Sequence, residues 1–411
     1  MSRLLAGIRV LECGALLNCD TVGMRLADMG ADVIKIEQPP LGDYLRDING
    51  VLAPGCSPVH LHVNRGKRSI ALDLTEPADL DVFWRLLDTA DVFVDGLTAG
   101  AADRLGIGYE AQRARRPDIV YCQYTGFGAS GPYASVPTHG QMMDALAAGQ
   151  PRALDGDGFM SPLTTGGPNG SSGGEGTAAG AMHATTHILA GIIHRDRTGE
   201  GCYIDVAASD AVVAQAWGTV ASALNAHRVI DPQNIPEQVQ GGVYRGAKYQ
   251  FYETADGLVV LFCAIEHRFW DAFCRATGRT DLIHRKNEDT PVDFGHDDEL
   301  RRTLQEIFRT RTQAEWMKLA VEERIPIGPA PRDFHEMRRD PHVSHRGIML
   351  EAEHPVAGRF TCTGEGAIVA GQPFVPRPAP AYDEHGAEIR RELDERARST
   401  TKSDGRQVLR G

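Results

Sequence analysis

Apolar and polar positions along the first third of the chain follow two alternating periods. Ile8 to Glu12 and Asp32 to Ile36 are short apolar runs of strand length. Between them Val22 to Asp28 carries apolar residues at helical spacing, followed by Gly30, which suits a helix terminator. The pattern recurs: RSIALDL reads as a strand, Pro77 to Thr89 as an amphipathic helix, DVFVDGL as a strand, Ala102 to Arg115 as largely helical, and DIVYCQYTGFG as a strand entering a glycine loop. Strands alternating with helices predict an α/β fold with a parallel, doubly wound sheet.

From Gly126 to Gly180 glycine, serine and proline replace the long apolar runs, and so long an irregular stretch is commonly functional or flexible. A helix is expected from Ala178 to Arg195, then a strand feeding a helix in GCYIDVAASDAVVAQAW. YQFYETADGLVVLFCAI reads as a hairpin turning at Ala255, Asp256 and Gly257, with helices near 267–277, 298–309 and 313–323. The expected organisation is therefore residues 1–224 as a large domain, 225–335 as a smaller α+β domain, 336–394 with strand character at 348–365 and 370–375, and a charged, frayed tail over 395–411.

Length and charge narrow the function classes. With 411 residues two domains are expected, and 43 basic against 55 acidic residues leave a net charge of -12, which disfavours non-specific binding to nucleic acid or an anionic membrane. The cysteines at 13, 19, 56, 122, 202, 263, 274 and 362 form no CxxC pair or compact cluster, and nothing at the N-terminus resembles a signal peptide. Free thiols in a reducing cytoplasm, no metal site and no membrane span are the expectation.

Several stretches carry a family resemblance in the right order over residues 7 to 390: LAGIRVLE, LADMGADVIKIE, GDYLR, NRGKRSIALDL, ADRLGIGYE, YTGFGASGP, HRDRTGEGCYIDVAASDA, DPHVSHRGI and RPAPAYDEH. Together they resemble the class III CoA-transferases, also called the CaiB/BaiF family, which includes α-methylacyl-CoA racemases. The resemblance implies a Rossmann-like large domain, a small domain and a C-terminal return to the large domain, in an interlocked homodimer. It also implies acyl-CoA and carboxylic acid substrates. Coenzyme A enters as a thioester substrate, and no tightly bound cofactor is expected.

In the transferases an aspartate attacks the thioester; aligned without gaps on AMH and HRDRTGEG, that position is Thr177 here, and the racemase aspartate falls near Gly176. The carboxylate in reach is Glu175, and Gly173, Gly174 and Gly176 leave room for its acyl partner. Amides at the following helix start would stabilise a thioester oxyanion. The alternative is a loop glutamate that favours a helix N-terminus. His139 aligns with the racemase histidine and Glu266, in FCAIEHRFW, with its orienting carboxylate; a loop histidine and a solvated helix-start residue are the competing readings. Arg65, Lys67 and Arg68 fall where the family contacts the CoA 3′-phosphate and adenosine, Arg104 matches the arginine of the RLG motif, and Lys35 is family-like, so the resemblance implies these five as the CoA-binding residues; a basic turn before a strand is the alternative for the first three.

The chain departs from the family at Cys19-Asp20, where Gly-Pro is usual, at Thr98-Ala99-Gly100, where RPG is usual, and at Gln240-Gly241-Gly242, a shortened glycine run. GEGTAAG lacks the spacing and preceding strand of a dinucleotide fingerprint, and His183, His187 and His194 lack a carboxylate to complete a zinc set. The expected function is CoA transfer between carboxylic acids through a carboxylate-bound intermediate. Racemisation of a 2-methylacyl-CoA is the alternative, and a non-catalytic acyl-CoA-binding protein a further one.

Overall fold

The computed structural model describes residues 3–147, 152–162, 175–230 and 246–408, with side chains as far as 399. Met1–Trp217 with Ile348–Gly411 form one compact unit, and Gly218–Gly347 a second. Gly173, Gly174 and the Gln240-Gly241-Gly242 run lie outside the described residues.

The first unit opens with β1 (Arg9–Cys13), α1 (Leu17–Asp28), β2 (Asp32–Glu37), α2 (Pro58–Val63), β3 (Arg68–Ala71), α3 (Pro77–Leu87), β4 (Val92–Asp95), α4 (Ala101–Arg104), α5 (Tyr109–Arg115) and β5 (Val120–Thr125). Then follow α6 (Gln141–Leu146), a small hairpin of β6 (Arg152–Leu154) and β7 (Met160–Pro162), α7 (Glu175–Thr198), β8 (Cys202–Ala207) and α8 (Ala208–Gln215), while α9 (Trp217–Asn225) starts at Trp217 and continues into the second unit. Six strands form one parallel sheet in the order β3-β2-β1-β4-β5-β8. The chain builds outward from β1 in one direction, then returns to β4 and builds the other way.

Alternate residues of each strand point to opposite faces, so two cores form. Val10, Val94, Cys122 and Tyr124 pack with Val22 and Leu26 of α1 and Ala184 and Ile188 of α7. Leu11, Ile34, Phe93 and Tyr121 pack on the other face with Phe83 and Leu86 of α3. Helix α7 needs small residues to lie this close: a Cβ on Gly180 would stand 2.3 Å from the Tyr124 hydroxyl.

In the second unit β9 (Gln250–Glu253) and β10 (Val259–Phe262) form the expected hairpin. α10 (His267–Ala276), α11 (Asp298–Phe308) and α12 (Gln313–Glu323) follow, with β11 (Ile327–Pro329) antiparallel to β10, then α13 (Phe334–Met337) and α14 (Pro341–Arg346). Trp270, Phe273, Phe308 and Trp316 fill its core. The chain re-enters the first unit as the hairpin β12 (Met349–His354) and β13 (Gly358–Thr363) and ends in α15 (Gly386–Val408).

Three expectations are corrected and one is refined. α1 begins at Leu17 rather than Val22, because Asp20 in its first turn is held inside by ion pairs rather than left in a loop. The stretch 102–115, expected to be largely helical, is refined into two helices parted at Gly106, whose φ of 74° leaves the helical region. Residues 370–375 form no strand, only an isolated bridge between Val369 and Gln372. Helical structure continues past Asp394, where fraying was expected; the start of this helix is anchored by Ile389 and Leu393 in the second core and by Arg68 and Arg85, which pair with Glu392 and Asp394.

Candidate active site

A crevice opens outside the carboxyl ends of β1, β4 and β5, at the point where the strand order reverses, the usual ligand position in such sheets. It encloses a cavity of about 1240 Å³. One wall is α1 with the turn before it, at Leu16, Asn18, Thr21 and Arg25; the turns after β4 and β5 and the segment from Val136 to Met143 form another. Thr177, Ala178 and Met182 of α7 close one side, and Thr363–Ala367, from the return of the chain, another.

The first turn of α7 is clamped from three directions. Asp144 of α6, only 1% exposed, accepts from the Gly176 amide at 2.6 Å. Tyr124 donates to the carbonyls of Gly176 and Thr177 at 3.0 Å each, and the Thr177 hydroxyl donates to Asn18 Oδ1 at 3.2 Å. At the start of α6 the Met142 amide donates to the His139 carbonyl at 2.8 Å.

Beside the turn after β1, two ammonium groups meet three carboxylates in a sealed cluster. Lys35 pairs with Glu12 at 3.2 Å, with Asp43 at 3.0 Å and with Asp20, and Lys67 donates to Glu12 at 2.7 Å; none of these side chains is more than 1% exposed. Burial pushes Asp20 up further than Lys35 and Lys67 pull it down. Burial works against Lys35, but Asp20, Glu12 and Asp43 outweigh it and hold the ammonium charged. Burial likewise opposes the Asp43 carboxylate, yet Lys35 and the Leu45 amide hold it well below the usual range. Asp43 accepts in turn from the Leu16 amide at 3.1 Å, fixing a non-glycine residue at φ 66° in the cavity wall. Glu12, Cys19 and Asp20 bring three metal-type ligand atoms within 4.8 Å of one another, but Lys35 and Lys67 already stand on the carboxylate oxygens.

The expected site residues separate into groups. His139 is exposed and lines the cavity, as does Thr177, which is 7% exposed. Glu175 is the first residue of α7 and exposed; it lies ~200° around the helix from Thr177, so it points away when both are helical. Glu266 precedes α10 in the second unit. Arg65 lines the cavity, but its guanidinium is held by Asp28 at 3.0 Å and the Thr363 carbonyl at 2.8 Å. Lys35 and Lys67, expected at CoA, are corrected: their ammonium groups are shut inside the cluster and hold the turn instead. Arg68 is corrected on similar grounds, since it spends its guanidinium on Glu392 at 2.6 Å, Glu388 at 3.1 Å and Asp32. Arg104 is exposed at the end of α4, outside the cavity wall.

Sequence reasoning missed Arg25, which lines the cavity with a buried Nε that has no partner. Asn18, Thr21 and Arg25 are spaced i, i+3 and i+7, a polar stripe on one helical face. The signal was present, but a helix begun at Val22 loses its first two members. Close to Arg25 lie His62, which burial, Arg65 and Arg25 lower to about 4, and Glu365, which burial and the neighbouring Asp28 raise. Asp144 gave no periodic signal; its role depends on α7 reaching it across the fold.

A large crevice at the switch point of a parallel α/β sheet, with Arg25, Arg65 and the first turn of α7 in its wall, is the usual ligand position of α/β enzymes. The chain belongs to CoA-transferase family III, whose sequence model matches residues 5–386, and is an enzyme of the class III CoA-transferase type. It is 28% identical to the human succinyl-CoA:glutarate CoA-transferase, over 96% of this chain and 87% of that one. It is 31% identical to the succinyl-CoA:mesaconate CoA-transferase of Haloarcula hispanica, over 94% and 95%. The orthorhombic crystal form of Rv3272 from Mycobacterium tuberculosis superposes with a TM-score of 0.74 at 25% identity, covering 94% of this chain and 98% of that one. A CaiB/BaiF family protein from Brucella suis shares the fold, with a TM-score of 0.72 at 24% identity over 96% and 100%.

Proposed function

We propose that the protein moves CoA from an acyl-CoA donor to a free carboxylic acid, with Glu175 as the carboxylate that carries the group between them. The observation behind this reading is that the cavity wall runs through the first turn of α7 at Thr177, two residues after Glu175 and in the same cavity as His139. A Glu175 oxygen attacks the thioester carbonyl, the C–S bond breaks, and CoA thiolate leaves an acyl-glutamyl anhydride. The thiolate attacks the Glu175 carbonyl, releasing the donor carboxylate and leaving a glutamyl thioester. The acceptor carboxylate then displaces thiolate to form a second anhydride, and thiolate attacks its acyl carbonyl, freeing Glu175 and the new acyl-CoA.

Glu175 must turn from the outer side of α7 for the attack. As the first helical residue its amide has no intrahelical acceptor, so only the bond made by its carbonyl must be given up. The helix start favours the anionic intermediates, with the Gly176 amide already taken by Asp144. Arg25 is assigned to the phosphates of CoA, while Arg65, held by Asp28 and the Thr363 carbonyl, shapes the wall beside it. Trp217, 74% exposed, and Leu224, 71% exposed, on a helix with no buried residue, support the homodimer that the family resemblance implies. Eight free cysteines support a reducing, cytoplasmic setting.

Trapping tests the mechanism. After incubation with acyl-CoA, hydroxylamine should place a hydroxamate on Glu175, read by peptide mass spectrometry, and Glu175→Gln should abolish transfer while CoA still binds. Full transfer by Glu175→Gln would overturn the assignment. The position of His139 in the cavity favours racemisation as the second reading, and it would be chosen if solvent deuterium entered the α-position of a 2-methylacyl-CoA without exchange of CoA.

A further inference from the structure

The inference drawn here rests on the transfer reading and concerns the acyl group. Asn18 and Arg25 lie on one face of α1, seven residues apart, and are therefore separated by ~10 Å along the helix axis. The Thr177 hydroxyl bond to Asn18 marks one end of this axis. Arg25 marks the other, where its charge and that of Arg65 act on His62 and Glu365.

The end near Thr177 differs in chemistry. Phe127, Val136, Pro137, Met143 and Met182 line the cavity on that side, with His139 among them, and among the described residues no lysine or arginine joins them there. Val136 is 38% exposed and Met182 46%, so apolar surface faces the cavity uncovered. The two guanidinium groups of the cavity wall are engaged at the other end, Arg65 by Asp28 and Arg25 beside Glu365, so the far carboxylate of a four- or five-carbon diacid meets no lysine or arginine of the described residues here. That carboxylate would have to leave water without a cation to meet it, which is unfavourable. We propose that the acyl end takes an apolar monocarboxylic group, linear or branched, and disfavours the dicarboxylic acids for which several of the relatives are named.

The experiment measures kcat/KM of the full chain for butyryl-, isobutyryl- and hexanoyl-CoA against succinyl- and glutaryl-CoA, with acetate as acceptor. The apolar thioesters should be favoured by at least about tenfold, the ratio that one modest binding difference produces. Equal or better use of succinyl- or glutaryl-CoA overturns this inference and leaves the transfer reading standing. If none of the five reacts or labels Glu175 in the hydroxylamine experiment, the transfer reading fails and this inference with it. Val136→Arg supplies the missing cation on the exposed lip and should move the ratio toward succinyl-CoA by about tenfold. An unchanged ratio in a folded Val136→Arg variant counts against the proposal.

Discussion

Replacing Lys35 with methionine removes one of two cations from a sealed group of five charges. Glu12, Asp20 and Asp43 set three carboxyl groups against the two ammonium groups of Lys35 and Lys67, and burial raises Asp20 most clearly among the three. Without Lys35 a second carboxyl must take up a proton. Holding an ordinary carboxyl protonated at about pH 7, roughly three units above its usual pKa, costs about 4 kcal/mol at 1.36 kcal/mol per unit. That lies within the ~3–5 kcal/mol lost when one partner of a buried ion pair is removed. The sign of the pH dependence is equally specific. Above the ordinary pKa of the second carboxyl and below its raised value, the variant takes up one more proton on folding than the unmodified protein does, so its stability relative to that protein rises as pH falls. Urea unfolding at about pH 7.5, 6.5 and 5.5 should show the gap to the unmodified protein shrinking by up to about 1.4 kcal/mol per unit. A gap under about 1 kcal/mol at the highest pH, or one that stays constant, would refute the charge balance. Because Asp43 also holds Leu16 in the cavity wall, the KM for acyl-CoA should rise in the same variant.

Three further outcomes follow from neighbouring groups. His60 is buried, and burial, Arg46 and Lys35 lower it from 6.5 to about 3. Its contribution is present above 6.5 and lost as pH falls toward 3, because the unfolded chain binds the proton first; the loss is on the order of 5 kcal/mol. His60→Gln should flatten that acid limb in urea unfolding, and an unchanged slope would count against it. Asp144→Ala removes a charged acceptor from the Gly176 amide and should cost about 2 kcal/mol and lower kcat, whereas Asp144→Asn keeps an acceptor and should cost less; equal urea midpoints for the two would sink the clamp. Arg25→Ala should raise the KM for CoA thioesters about tenfold with little change in kcat, and a charge-preserving Arg25→Lys should recover part of it. Unchanged KM in Arg25→Ala would remove Arg25 from the phosphate site.

The alternating sheet was legible because its strands are nearly continuous apolar runs and its helices amphipathic, signals carried by local residues such as Val92 to Asp95 and Pro77 to Leu87. The hairpin at Asp256 and Gly257 was legible for a similar reason. Charged residues were harder to place. Lys35, Lys67 and Arg68 sit in the same strand-and-turn context whether they face a ligand or a carboxylate, and only the fold brings Glu12, Asp20 and Glu392 to them. Glu175 shows the same limit at one residue's resolution. Extending α7 by a single turn puts Glu175 on the helix, ~200° from Thr177, where a loop assignment leaves its direction open.

The return of the chain has a consequence for how the protein is made. Thr363–Ala367 line the cavity, and the Thr363 carbonyl holds Arg65 across 298 positions of sequence. A ribosome that has finished β5 and α7 has therefore produced a crevice with one side missing, and it must complete all of Gly218–Gly347 before that side can dock. The nascent sheet spends that interval with its ligand cleft uncovered. Chains stopped early, or cleaved between the two contributions to the first unit, keep the cleft open on that side even though every strand of the sheet is present.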